Sequence, residues 1–277
     1  MNDPFAEVNS MPGPDVVRRF LPYEARIGEM RTIVIDPHNE ILPYWFREFL
    51  NHRRTLIAVR IDAHHDMFQC SPALPSREGR DRFRFLASLM SCIQDYSRMM
   101  CNEGNFTCPA FHCGAVGAVY HFHPAKGRMD AYGRVSGLKT IDAPGTSLKR
   151  ADASTGKNRQ IVWDEEATRL TGRAGSAKAS PVPCRISMND FWKDMQDCLL
   201  PVAVGFDLDG LYGNDDRGPI ERVVKERLAC VKTVLGMLPR PAFICIARSQ
   251  RPRSYIPANI VDWLQDVALR LIGEIYL

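Results

Sequence analysis

The stretch Asp62-Ala63-His64-His65-Asp66 constrains this chain more than any other. An apolar, β-branched run, Leu56-Ile57-Ala58-Val59, leads into it, and two carboxylates and two imidazoles follow within five positions. Successive side chains of a strand face opposite ways, so Asp62 and His64 share a face. A second apolar run, Pro201-Val202-Ala203-Val204-Gly205-Phe206, ends the same way, on Asp207-Leu208-Asp209. Carboxylates and imidazoles are ligands for divalent metals, and the carboxyl ends of buried strands are where α/β sheets build their sites. The two runs predict strands whose ends assemble one metal site between them.

The rest of the chain alternates strand and helix patterns. Residues 1–24, rich in Pro and Gly, read as an N-terminal arm, and 25–277 as a single α/β domain. Arg31–Ile35 reads as a short buried strand closed by Asp36-Pro37. Residues 39–53 place Ile41, Leu42, Trp45, Phe46, Phe49 and Leu50 at helical spacing, with Pro43 in the first turn. Strand 55–61, a helix over 80–101 and a strand over 116–123 follow. Helices are predicted near 190–199 and 220–238, around the second Asp-bearing strand. A strand over 241–247 and a helix over 260–271 close the chain, the helix with Trp263, Leu264, Val267 and Leu271 on one buried face. Residues 125–160 are polar, Gly- and Ser-rich and basic, and read as a long loop insertion. This order predicts a three-layer α/β/α sandwich around a mainly parallel sheet.

Composition narrows the function classes. A net charge of +4 is too mild to argue for nucleic acid, and no stacking aromatics accompany the basic loop. No apolar stretch is long enough to span a bilayer, and the first residues carry no secretory pattern. Nine cysteines, an odd number without a Cys-x-x-Cys pair, fit reduced thiols and a cytoplasmic setting better than a disulfide framework. No interface stripe stands apart from the core, so oligomeric state is left open.

The donor set gathered from these strand ends is His38, Asp62, His64, Asp66, Asp207 and Asp209. Two imidazoles and four carboxylates exceed the needs of one tetrahedral ion and suit two ions of higher coordination sharing carboxylates. A set of oxygen and nitrogen donors without thiolate favours Mn²⁺. Two such ions lower the pKa of bound water and direct it at an electrophilic carbon. Taken alone, Asp207-Leu208-Asp209-Gly210 reads as a turn, and His121-Phe122-His123 as a strand whose imidazoles need no metal. Cys113 beside His112 lacks an organised base and orienting group for nucleophilic catalysis.

These motifs resemble a family. Asp62-Ala63-His64-His65-Asp66 is similar to the Asp-Ala-His-x-Asp signature of arginases and related ureohydrolases, and Asp207-Leu208-Asp209-Gly210 to their later Asp-x-Asp. Asp36-Pro37-His38-Asn39-Glu40-Ile41-Leu42-Pro43-Tyr44-Trp45 and Ile246-Ala247-Arg248-Ser249 resemble the UPF0489 branch, which includes peptide arginases. The resemblance implies two Mn²⁺ per chain held by the six donors, with Asp62 and Asp207 as bridges. It also implies that arginine side chains of a ribosomal peptide are converted to ornithine with release of urea. The chain departs from free-arginine enzymes: His38 stands in Asp-Pro-His, and Ala247-Arg248-Ser249-Gln250 offers no acid for the guanidinium. Asp36 and Glu40 are therefore candidates to bind substrate, and His65, His112, His121 and His123 are candidates for the proton-shuttling imidazole. Two other readings compete: an amide hydrolase of deacetylase type using one Zn²⁺ held by Asp, His and Asp, and a non-catalytic binding module on the same fold.

Overall fold

Alternation along each central strand decides which side of the sheet a residue serves. The computed structural model describes residues 21–52, 54–68, 90, 92–142, 150–151, 158–163 and 182–277, the side chains of 137–142, 150–151 and 158–163 excepted. Its strands are β1 Tyr23–Ile27, β2 Met30–Ile35, β3 Leu56–Ile61, β4 Val116–His123, β5 Arg128–Tyr132, β6 Leu138–Asp142, β7 Arg150–Ala151, β8 Asn158–Trp163, β9 Cys184–Ile186, β10 Val202–Asp207 and β11 Phe243–Ala247. Its helices are α1 Leu42–His52, α2 Ile93–Met100, α3 Thr107–His112, α4 Met188–Gln196, α5 Ile220–Gly236 and α6 Val261–Tyr276.

Eight strands form the main sheet in the order β1-β2-β11-β10-β3-β4-β5-β9. The middle five, β2, β11, β10, β3 and β4, run parallel. Strand β1 at one end and β5 and β9 at the other add antiparallel pairs, leaving β1 and β9 as the edges. In β3, Ile57, Val59 and Ile61 pack into one apolar core with residues of α4, α5 and α6. Leu56 and Ala58 pack into a second core with α1, α2 and α3. Two cores on opposite faces of a buried, mostly parallel sheet make a three-layer α/β/α sandwich. Strands β6, β8 and β7 form a separate three-stranded antiparallel sheet.

Local chemistry sets the elements that carry the site. A 3₁₀ turn, His38–Ile41, feeds α1, where Pro43 takes the second helical position and loses no intrahelical bond. Asn39 Nδ2 donates to the Ser97 carbonyl at 2.6 Å, and Ser97 Oγ returns a bond to the Asn39 carbonyl at 2.5 Å. That reciprocal pair ties α2 to the turn and holds His38 at the sheet edge. Gly210 lets the turn after β10 approach β3: a Cβ there would stand 3.3 Å from Asp62 Cα and 3.4 Å from its backbone nitrogen.

Several expectations need correction. The arm ends at β1, which begins at Tyr23 and pairs with β2; residues 1–20 lie outside those described. The loop expected over 125–160 holds β5, which pairs with β4 on one side and β9 on the other, and most of the three-stranded sheet. Of the helix expected over 80–101, residues 80–89 and 91 lie outside the description and α2 spans Ile93–Met100. Trp263 is not core: it is 38% exposed, and the buried stripe of α6 runs through Leu264, Ala268, Leu271 and Ile272. Cys184, Cys198, Cys230 and Cys245 are free thiols, and among the described residues no helix is long and apolar enough to cross a membrane.

Candidate metal centre

The six predicted donors meet at the carboxyl edge of the sheet, behind β2, β10 and β3. His38 Nδ1 lies 2.9 Å from Asp207 Oδ2, 3.4 Å from Asp62 Oδ2 and 3.5 Å from Asp66 Oδ2. His64 Nδ1 lies 2.8 Å from Asp209 Oδ2 and 3.9 Å from Asp62 Oδ1. Two groups with metal-ligand spacing form among these six, His38 with Asp62 and Asp66, and Asp62 with His64 and Asp209; a third, His65 with His121 and Asp130, lies outside them. Asp62 belongs to both. Every donor except His64 is buried; the His64 side chain is 54% exposed.

The first group already encloses a cation. Arg60, fully buried on β3, directs Nη2 at Asp62 Oδ2 and Asp66 Oδ2, with His38 Nδ1 at 3.4 Å. Its Nη1 donates to the His65 carbonyl and to Thr107 Oγ1, both at 2.9 Å, and its Cζ stands 4.8 Å from the Phe106 ring centroid. The second group faces a cleft of about 430 Å³ whose lining includes His64, His65, Asp66, Glu103, Tyr132, Ser249 and Tyr255.

Burial and crowding strain these charges. Asp62 is pushed well above the usual carboxylate range by burial and by Asp66. Asp207 is pushed up to about 7 by burial, although Ser249 Oγ donates to both its oxygens at 2.7 and 2.6 Å. Burial and Asp207 likewise raise Asp209. His64 rises to about 9 through its bond to Asp209, whereas His38 falls to about 3 through burial and the Arg60 charge. Buried carboxylates that repel one another around an accessible imidazole form a donor set suited to a divalent cation. Among the described non-glycine residues, Asp66 (φ 47°) and Ser249 (φ 50°) alone have left-handed backbones, and both sit in this site.

The structure treats the other predicted residues differently. His65 lines the cleft: its Nδ1 meets the Tyr132 hydroxyl at 2.8 Å, its Nε2 lies 3.6 Å from Asp130 Oδ2, and burial lowers its pKa. His121 is fully buried behind it, ring centroids 4.0 Å apart, with neither ring nitrogen hydrogen-bonded. His123 is buried on the same strand, and burial holds it at about 4. His112 ends α3 with its ring on Phe111 and does not line the cleft. Asp36 accepts from the backbone nitrogens of Gln250 and Arg251 at 3.0 and 3.1 Å, and Glu40 pairs with Arg98 at 2.9 Å. Neither acid reaches the cleft.

Arg60, Glu103, Ser249 and Tyr255 escaped the sequence reading. An arginine interrupting the apolar run before Asp62 was the available signal for Arg60. Glu103 sits in a polar turn with no periodicity to mark it. Its Oε1 accepts from the Tyr255 hydroxyl at 3.2 Å, and its Oε2 is buried without a hydrogen-bond partner. Comparison with known proteins adds no family: no family model matches the chain, and no curated protein matches it significantly.

Proposed function

We propose that this chain is a metal-dependent hydrolase of the ureohydrolase type, acting on arginine side chains within a peptide and releasing urea. One observation carries the reading: six donors drawn from three separated segments converge at one sheet edge, beside a cleft lined by Glu103, one of whose carboxylate oxygens is buried without a hydrogen-bond partner. A divalent cation held by Asp62, His64 and Asp209 supplies Lewis-acid activation of water when bound.

The chain's own residues would do the rest. Glu103 Oε2 offers a charged acceptor to a guanidinium entering the cleft, with Tyr255 orienting the carboxylate. Phe68, 72% exposed at the rim, offers apolar surface to neighbouring peptide residues. Burial keeps His65 neutral, with Nδ1 hydrogen-bonded to the Tyr132 hydroxyl; as a neutral imidazole it can take a proton from the attacking water and deliver it to the departing nitrogen. Water adds to the guanidinium carbon, the bond from that carbon to the chain nitrogen breaks, and the proton goes to the amine, leaving ornithine and urea.

Protein loaded with Mn²⁺ and given a panel of arginine-containing peptides and free arginine should release urea, with loss of one CH₂N₂ unit per converted residue. Glu103→Gln should raise KM far more than it lowers kcat. No urea from any substrate ends the proposal. A second reading has its own support, because Asp62, His64 and Asp209 alone are the Asp-His-Asp set of a single-ion amide hydrolase. Acetate release from acetylated amines, with tightly bound Zn²⁺ and no urea, would select it.

A further inference from the structure

Arg60 is an anomaly of placement. Its neighbours of like parity on β3, Leu56 and Ala58, face the core built by α1, α2 and α3, and Arg60 is fully buried on that same side. A guanidinium stays charged in any protein, and burying it costs heavily unless it is paired. Here the pairing is with Asp62 and Asp66, the carboxylates of the first donor group, while His38 Nδ1 stands 3.4 Å away. Metal–donor bonds are roughly 2.0–2.2 Å long for nitrogen and oxygen ligands. Nη2 already occupies the two carboxylate oxygens that an ion bonded to His38, Asp62 and Asp66 would need, so the guanidinium and such an ion compete for them.

The guanidinium is also anchored from its other side. Nη1 bonds the His65 carbonyl and Thr107 Oγ1, and the Phe106 ring covers the group. Withdrawing it would break these contacts and leave the charge inside a core with no exposed surface. The second group, Asp62 with His64 and Asp209, holds no such cation and opens on the cleft.

The geometry points to Arg60 as a built-in replacement for one ion of a pair: the centre takes a single divalent cation, on Asp62, His64 and Asp209, with Arg60 as its permanent companion charge. This rests on the metal-binding reading proposed above. It replaces the two-ion stoichiometry implied by resemblance, and it assigns His38 and Asp66 to the Arg60 pocket rather than to the ion.

The test counts ions. Full-length protein stripped by chelator, reloaded with Mn²⁺ and desalted is measured by elemental analysis and electron paramagnetic resonance. One Mn²⁺ per chain with the spectrum of an isolated ion is expected. Arg60→Met should take up two, with an exchange-coupled spectrum, and Arg60→Lys should stay at one. His38→Gln should keep the ion and Asp209→Asn should lose it, which decides the matter even if Arg60→Met does not fold. Two coupled ions in the unaltered chain, or one in a folded Arg60→Met, would overturn the proposal while leaving the metal centre standing. No tightly bound Mn²⁺, Zn²⁺ or Fe²⁺ at all would overturn both.

Discussion

At the scale of single residues, the site is a problem of charge held out of water. Asp62, Asp207 and Asp209 are buried together, and each is pushed above its ordinary range, Asp207 to about 7. Without a cation, part of this set therefore carries protons at neutral pH. A divalent ion needs the deprotonated forms, so binding must release protons. Calorimetric titration of the metal-free chain with Mn²⁺ at pH 7, in buffers of different ionisation enthalpy, should show that release. It should shrink only as pH rises past about 9, the His64 value, because that imidazole must also give up its proton to bind the ion. Binding heats independent of buffer would show that the carboxylates are already ionised. Ser249 works against the upward shift, since its hydroxyl bonds favour the charged Asp207; its left-handed backbone, like that of Asp66, is strain retained at a working position.

At the scale of elements, the centre depends on how closely the turn after β10 meets the end of β3. Gly210 is the contact: its missing Cβ leaves room for the Asp62 backbone, 3.3 Å from where that carbon would lie. Gly210→Ala should push Asp209 away from Asp62 and His64 and weaken Mn²⁺ binding by about tenfold, roughly the 1.4 kcal/mol of a small misfit in ligand geometry. Metal affinity equal to the parent chain would show that the turn yields without cost. This same element level is where the sequence was most legible. The Asp-bearing strands announce themselves because β3 and β10 are mainly apolar runs that end on carboxylates. The antiparallel strands do not: β1, β5 and β9 are short and partly polar, so they read as arm and loop. Arg60 was hidden for a related reason, since a run of alternating apolar residues does not say which face holds a partner for a buried guanidinium. Asp36 and Glu40 misled through proximity in sequence to His38; their carboxylates turn to Arg251 and Arg98.

For the whole molecule, three buried histidines govern the response to acid. His38 titrates near 3 and His123 near 4, and His121 lies well below the ordinary 6.5, in each case chiefly because burial disfavours the charged ring. An unfolded chain would take up these protons near 6.5, so the folded state binds fewer as pH falls towards 4. Their contribution to stability is full above the unfolded value and is lost through that interval. The raised carboxylates act in the opposite sense, and their contribution fades as pH rises towards 7. Comparison with a variant separates the two. Thermal melting of His123→Phe should gain on the parent chain progressively between pH 6.5 and 4. A difference that stays constant with pH would mean that His123 is not held neutral by the fold.

The convergence of the 62–66 and 207–209 segments around a metal ion, with His38 beside them on Arg60, underlies all of this. Crystals of the Mn²⁺-loaded chain, measured on both sides of the manganese absorption edge, test it most directly. An anomalous peak within bonding distance of Asp62, His64 and Asp209 is the predicted result. Crystals grown and held in Mn²⁺ that show no peak at this sheet edge, or a peak bound only to other residues, would contradict it.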